Sequence, residues 1–185
     1  TGKDLVAQAQ SGTGKTGAYS IGSLCAIDES KQTIQCLILV PTRELADQVY
    51  KVITDISSYT KITTLKVIGG TNVSLCRSEI SRNPHIIIGT PGRILDMIMR
   101  RDLPTIDIRL MILDEADEIL SDGFKDCIHD IIKSLPKTSQ LCLFSATMPE
   151  EILELTTKFM NDPQQVLVKK EQLTLEGIQQ FFINV

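Results

Sequence analysis

The chain has 185 residues, 42% apolar and 23% charged, which suits one compact domain with an adequate core. No apolar run approaches a membrane span, and Thr1-Gly2-Lys3-Asp4 carries no signal-peptide pattern. A net charge of −4, no Trp and only eight Phe plus Tyr exclude a broad basic surface or a base-stacking platform, so any nucleic-acid contact must be local and made mainly to the backbone.

In chain order, a short apolar strand at Leu5-Val6-Ala7 leads into a glycine-rich loop, Gln8 to Thr16. A helix is predicted from Lys15 to about Ile27, and after the polar Asp28–Gln32 loop a buried strand runs from Cys36 to Val40. Pro41-Thr42-Arg43-Glu44 opens a second helix, with Leu45, Val49, Val52, Ile53 and Ile56 on one face. A strand near Thr63–Ile68 ends in Gly69-Gly70, and Asn72 is placed to cap a short helix. The strand Ile86-Ile87-Ile88 ends in Gly89-Thr90-Pro91-Gly92-Arg93, followed by a helix to about Met99.

Leu110-Met111-Ile112-Leu113 is four large apolar residues in a row, the mark of a strand buried on both faces. Three carboxylates, Asp114, Glu115 and Asp117, follow within four positions, a costly set of like charges unless a cation sits among them. Beyond them, Phe124, Cys127, Ile128, Ile131, Ile132 and Leu135 form a helical stripe. Leu141–Phe144 is a strand ending in Ser145-Ala146-Thr147, and Pro149 starts a helix whose inner face carries Ile152, Leu155 and Phe159. Val166-Leu167-Val168 and Phe181-Phe182-Ile183 are two late strands.

Strand and helix alternate throughout, so the expected fold is α/β, a parallel sheet flanked by helices on both faces. Each unusual polar cluster falls just after a strand, and these ends share the sheet edge where open α/β folds bind ligands. No repeat, low-complexity segment or internal linker divides the chain, so residues 1–185 read as one domain. The cysteines, Cys25, Cys36, Cys76, Cys127 and Cys142, are odd in number and lack metal or redox spacing; most read as small core residues. His85 and His129 read as surface or boundary residues.

Ser11-Gly12-Thr13-Gly14-Lys15-Thr16 between a strand and a helix has the form of a phosphate-binding loop. Glycines let backbone N–H groups close around phosphate oxygens, Lys15 would reach the β and γ phosphates, and the Thr16 hydroxyl would ligate Mg²⁺. The general pattern begins with Gly where this chain has Ala9. In that context Asp114 suits a carboxylate holding Mg²⁺ through a water, and Glu115 one that positions or deprotonates the attacking water. The alternatives are a plain glycine-rich turn and a solvated acidic helix start.

The loop Ala9–Thr16, Pro41-Thr42-Arg43-Glu44-Leu45-Ala46, Gly69-Gly70, Thr90-Pro91-Gly92-Arg93, Asp114–Asp117 and Ser145-Ala146-Thr147 together resemble the ordered motif set of the DEAD-box RNA helicases. Ala at position 9 is normal in that family, and the match covers nearly the whole chain. The resemblance implies a RecA-like P-loop NTPase domain, the N-terminal helicase lobe, with ATP and Mg²⁺ as cofactors. It assigns Lys15, Asp114 and Glu115 to catalysis, and Pro41, Thr42, Arg43, Gly69, Gly70, Thr90, Pro91, Gly92 and Arg93 to RNA. Arginines suit phosphate oxygens, glycines expose N–H groups and hydroxyls read sugar or phosphate, although each cluster alone also reads as a turn or cap. Asp117, Ser145 and Thr147 would couple nucleotide state to RNA binding.

The same resemblance implies an adenine-reading segment upstream of this chain and a second, C-terminal RecA-like domain as partner. On that basis the isolated chain is expected to bind nucleotide weakly and to hydrolyse it negligibly. The tail 167–178 is similar to the translation-initiation branch of the family and its nuclear relative. That likeness implies messenger-RNA unwinding, an initiation scaffold and RNA-binding cofactor proteins as partners, no membrane, and a cytoplasmic location, or a nuclear one for the messenger-RNA-processing relative. Two other readings are a P-loop ATPase that remodels a non-RNA client and a scaffold for protein partners. Intact Lys15, Thr16, Asp114 and Glu115 argue against a dead scaffold.

Overall fold

Seven strands, all parallel in their pairing, form one sheet in the order β3-β4-β2-β5-β6-β1-β7. They are β1 (Leu5–Gln8), β2 (Cys36–Leu39), β3 (Thr64–Val67), β4 (Ile86–Gly89), β5 (Leu110–Leu113), β6 (Gln140–Ser145) and β7 (Gln164–Val166). The computed structural model describes residues 2–10 and 12–167. Ser11, Val168 and the expected Phe181–Ile183 strand lie outside the described residues. The first late strand sits two positions earlier than its apolar signal, because Gln164, Gln165 and Val166 pair with Leu5, Val6 and Ala7.

The helices are α1 (Lys15–Ala26), α2 (Arg43–Ile56), α3 (Val73–Ile80), α4 (Pro91–Met99), α5 (Ala116–Ile119), α6 (Lys125–Ser134) and α7 (Glu150–Phe159). Local chemistry starts several of them. The Thr42 hydroxyl accepts the Leu45 N–H at 3.2 Å, Asn72 Oδ1 accepts those of Ser74 and Leu75, and Pro91 takes the first turn of α4, where no N–H is needed. Between α5 and α6 lies a π-type segment, Leu120–Phe124, broken by Gly123 at φ 80°. The apolar stripe beginning at Phe124 did not reveal this break.

Strand alternation builds two cores. Leu37, Leu39, Met111, Leu113, Leu141 and Leu143 pack with residues of α3 to α7, including Ile94, Ile119, Ile128 and Ile152. Cys36, Ile38, Ile86, Ile88, Leu110 and Ile112 pack against Tyr19 of α1 and Ala46, Val49 and Ile53 of α2. β2 and β5 are therefore apolar at every position, because odd and even residues face different helical layers. The parity carries into the next turn. Asp114 continues the even series of Leu110 and Ile112 and comes out on the α1 side, where it bonds Tyr19.

Gly89 ends β4 where neighbouring backbone approaches closely. A Cβ there would lie 2.3 Å from the Val67 carbonyl oxygen and 2.7 Å from Ile94 Cδ1. His85, expected at the surface or boundary, is buried at 1% exposure. The Thr63 N–H donates to its Nδ1 at 3.0 Å, so the ring is enclosed where β3 and β4 begin. His129 is half-buried, its ring 4.8 Å from that of Phe159. All five cysteines are free; Cys36 and Cys76 are buried, Cys127 and Cys142 half-buried, and Cys25 is exposed.

Candidate functional site

The loop after β1 is tied to the end of β6: Ala9 N–H donates to the Ser145 carbonyl at 3.0 Å, and Gln8 Nε2 to that of Ala146 at 3.2 Å. Gly12 and Gly14 have φ of 81° and 92°, while a Cβ at either would meet nothing within 4 Å. Glycine is needed there for backbone conformation, since L side chains disfavour that region. Thr13 is held by a 2.7 Å bond to the Gln10 carbonyl, and α1 begins directly at Lys15.

Lys15 is buried, and its Nζ donates to both carboxylate oxygens of Glu115 at 3.2 Å. Asp114, 2% exposed, has different partners. Its Oδ2 accepts the Tyr19 hydroxyl at 2.7 Å and its Oδ1 accepts the Glu115 N–H at 3.0 Å. Burial raises the Asp114 pKa, opposed by the Tyr19 bond and assisted by the Glu115 charge. Glu115 itself lies at φ 48°, in the left-handed region, so the chain turns sharply between strand and helix and sends adjacent carboxylates to different partners.

Asp117 has a third environment. Its Oδ2 accepts from Thr147 Oγ1 at 2.7 Å and Thr147 N–H at 3.1 Å, while its own N–H donates to Ser145 Oγ at 3.3 Å. Partial burial alone would raise its pKa, but the bonds from Thr147 and Ser145 outweigh that and hold it below the ordinary carboxylate value. The acidic cluster thus divides in two. Asp114 and Glu115 meet the loop side, and Asp117 ties β5 to β6.

The remaining predicted residues gather at an open groove. Pro41, Thr42, Arg43, Gly69, Thr90, Gly92 and Arg93 line it together with Glu44 and Phe124. The Arg43 guanidinium lies over the glycine turn so closely that a Cβ on Gly70 would sit 2.7 Å from Nη1. Arg93 Nη1 donates to the Thr71 carbonyl and hydroxyl at 3.1 and 3.0 Å. Pro91 is buried in the first turn of α4 and supports this wall. A separate cavity of about 580 Å³ lies beside α1, among Leu5, Gly22, Leu110 and Cys142, and no predicted site residue lines it.

The model of the DEAD/DEAH box helicases matches residues 1–155. The chain belongs to that family. Over 184 residues it is 54% identical to the ATP-dependent RNA helicase eIF4A of Candida albicans and 53% identical to that of Aspergillus clavatus, covering 100% of this chain and 46% of each relative. The chain therefore spans under half the length of these curated relatives. Among solved structures, a DEAD box protein from the hyperthermophile Methanococcus jannaschii superimposes with a TM-score of 0.86 at 39% identity, over 89% of this chain and 45% of that one. Saccharomyces cerevisiae dbp5, solved bound to nup159, gle1, ip6 and adp, gives 0.78 at 32%, over 91% and 44%. The seven-stranded sheet is accordingly the RecA-like domain of DEAD-box helicases.

Within this helicase domain, sequence reasoning missed Tyr19 and Gly89. Tyr19 stands three residues after Thr16, which is helical spacing for a shared face, and that was an available signal. Gly89 gave no such signal, since its demand for space comes from Val67 on a strand distant in sequence.

Proposed function

We propose that the protein carrying this domain is an ATP-dependent RNA helicase that unwinds messenger-RNA structure in translation initiation, acting in the cytoplasm. The observation that carries the reading is the convergence of the phosphate-loop residues Gly12–Thr16, the Asp114–Asp117 turn and the Arg43–Arg93 groove on one edge of the sheet, with relatives named eIF4A matching the full chain.

ATP would lie against Gly12, Thr13, Gly14 and Lys15, and Ser11 completes the proposed loop. Thr16 and Asp114 offer the hard oxygen donors that suit Mg²⁺, with Asp114 acting through a water. Magnesium keeps several waters and is completed by phosphate oxygens, so one or two protein oxygens would suffice to hold it. When bound, the metal would neutralise charge developing on the phosphates.

The chain's own residues then have distinct tasks. Lys15 exchanges its two bonds to Glu115 for phosphate oxygens, and Glu115, released, orients the attacking water and accepts its proton. Asp117, through Thr147 and Ser145, links the nucleotide turn to β6 and couples it to the groove. Pro41, Thr42, Arg43, Gly69, Gly70, Thr90, Pro91, Gly92 and Arg93 grip single-stranded RNA by its backbone. A second RecA-like domain of the same protein supplies further RNA contacts and transition-state charge. An initiation scaffold and RNA-binding cofactor proteins are the proposed protein partners.

Filter binding of the full-length protein to a single-stranded RNA, with and without a non-hydrolysable ATP analogue, tests this. Affinity should rise with the analogue. RNA affinity indifferent to nucleotide would overturn the proposal and favour a P-loop ATPase acting on a non-RNA client. Location of the tagged protein separates the initiation role from nuclear messenger-RNA processing.

A further inference from the structure

Tyr19 lies one helical turn after Thr16 in α1 and is 4% exposed, its ring 5.2 Å from that of Phe144 and inclined at 52°. Its surroundings are the apolar core formed with Ile38, Leu110 and Ile112. A hydroxyl in such a place is unfavourable unless it has a partner, and the ring alone would fill the space. The partner is Asp114, whose Oδ2 accepts the Tyr19 hydroxyl at 2.7 Å.

A phenol has one proton to give, and here it goes to Asp114. Asp114 is thereby fixed at both oxygens, since Oδ1 also accepts the Glu115 N–H at 3.0 Å.

We propose that the Tyr19 hydroxyl is a positioning group for magnesium-linked nucleotide binding, holding the Asp114 carboxylate in the orientation that a hydrated cation needs. The inference rests on the reading of Thr16 and Asp114 as the magnesium side of a nucleotide site. Tyr19 acts through Asp114.

The test is Tyr19→Phe in the full-length protein, read by titrating a fluorescent ADP analogue in saturating Mg²⁺ and again in EDTA, with thermal melting of the ligand-free protein alongside. In the unaltered protein the metal should tighten binding. In Tyr19→Phe the affinity in EDTA should stay within about twofold, while the tightening by Mg²⁺ shrinks about tenfold, the scale of one hydrogen bond to a charged group. A Mg²⁺ effect equal to that of the unaltered protein would overturn the inference. So would an equal loss of affinity with and without metal, because that marks Tyr19 as packing alone. An unaltered protein whose nucleotide affinity ignores Mg²⁺ would instead overturn the reading of Thr16 and Asp114.

Discussion

Three carboxylates within four positions end with three sets of partners: Tyr19 for Asp114, Lys15 for Glu115, and Thr147 with Ser145 for Asp117. Adjacent like charges are tolerable here because the left-handed turn at Glu115 separates them and each finds a donor. The opposite case is His85, buried with its Nδ1 accepting the Thr63 N–H and its Nε2 without a hydrogen-bond partner among the described residues. Burial lowers its pKa from the ordinary 6.5, with the Glu29 charge opposing. A folded-state value below the unfolded one means that the unfolded chain takes up the proton first. The stability that His85 contributes is therefore present above about pH 6.5 and is lost as pH falls toward the folded value. Thermal melts from pH 7 to pH 5 should show a falling midpoint. His85→Asn, which keeps an acceptor for Thr63 but does not titrate there, should flatten that slope; an unchanged slope would refute this account.

At the level of elements, the strand ends owe their shape to close packing as much as to polar chemistry. β4 is apolar at Ile86, Ile87 and Ile88 and then must be glycine, because the Val67 carbonyl oxygen and Ile94 Cδ1 occupy the space of a side chain at position 89. Both obstacles belong to ordered structure, β3 on one side and the start of α4 on the other, so relief requires backbone to shift. Gly89→Ala should destabilise the domain by about 3 kcal/mol, an overpacking cost. For a chain of this length that is a drop of about 6–12 °C in the melting midpoint, measurable by calorimetry. Because α4 carries Arg93 and β3 leads to Gly69-Gly70, the same substitution should also displace the two walls of the groove.

Across the whole molecule, a net charge of −4 places any nucleic-acid affinity in a few residues rather than in a diffuse field. Arg43 and Arg93 are the cations on the proposed groove, facing it from the first turns of α2 and α4. Each phosphate contact to a single strand steepens the dependence of log affinity on log salt by about 0.7. Arg43→Ala and Arg93→Ala in the full-length protein should therefore each flatten that slope by about 0.7, and the pair by about 1.4. Slopes identical to that of the unaltered protein would remove these arginines from the RNA surface.

The architecture was legible from sequence because its signals are local. Apolar runs of four mark strands buried on both faces, helical spacing marks α2, and turn glycines fall at the carboxyl ends of strands. The grouping of polar clusters on one edge followed from parallel topology alone. What sequence could not assign were pairings between residues distant along the chain: Lys15 with Glu115 across 100 positions, Tyr19 with Asp114 across 95, and the space denied to Gly89 by Val67. His85 was misplaced for the same reason, since its burial depends on Thr63 and the start of β3 rather than on its neighbours. Local propensity is a property of a few adjacent residues. Which carboxylate receives which donor is decided only when strand parity and helix placement bring their atoms within hydrogen-bond reach.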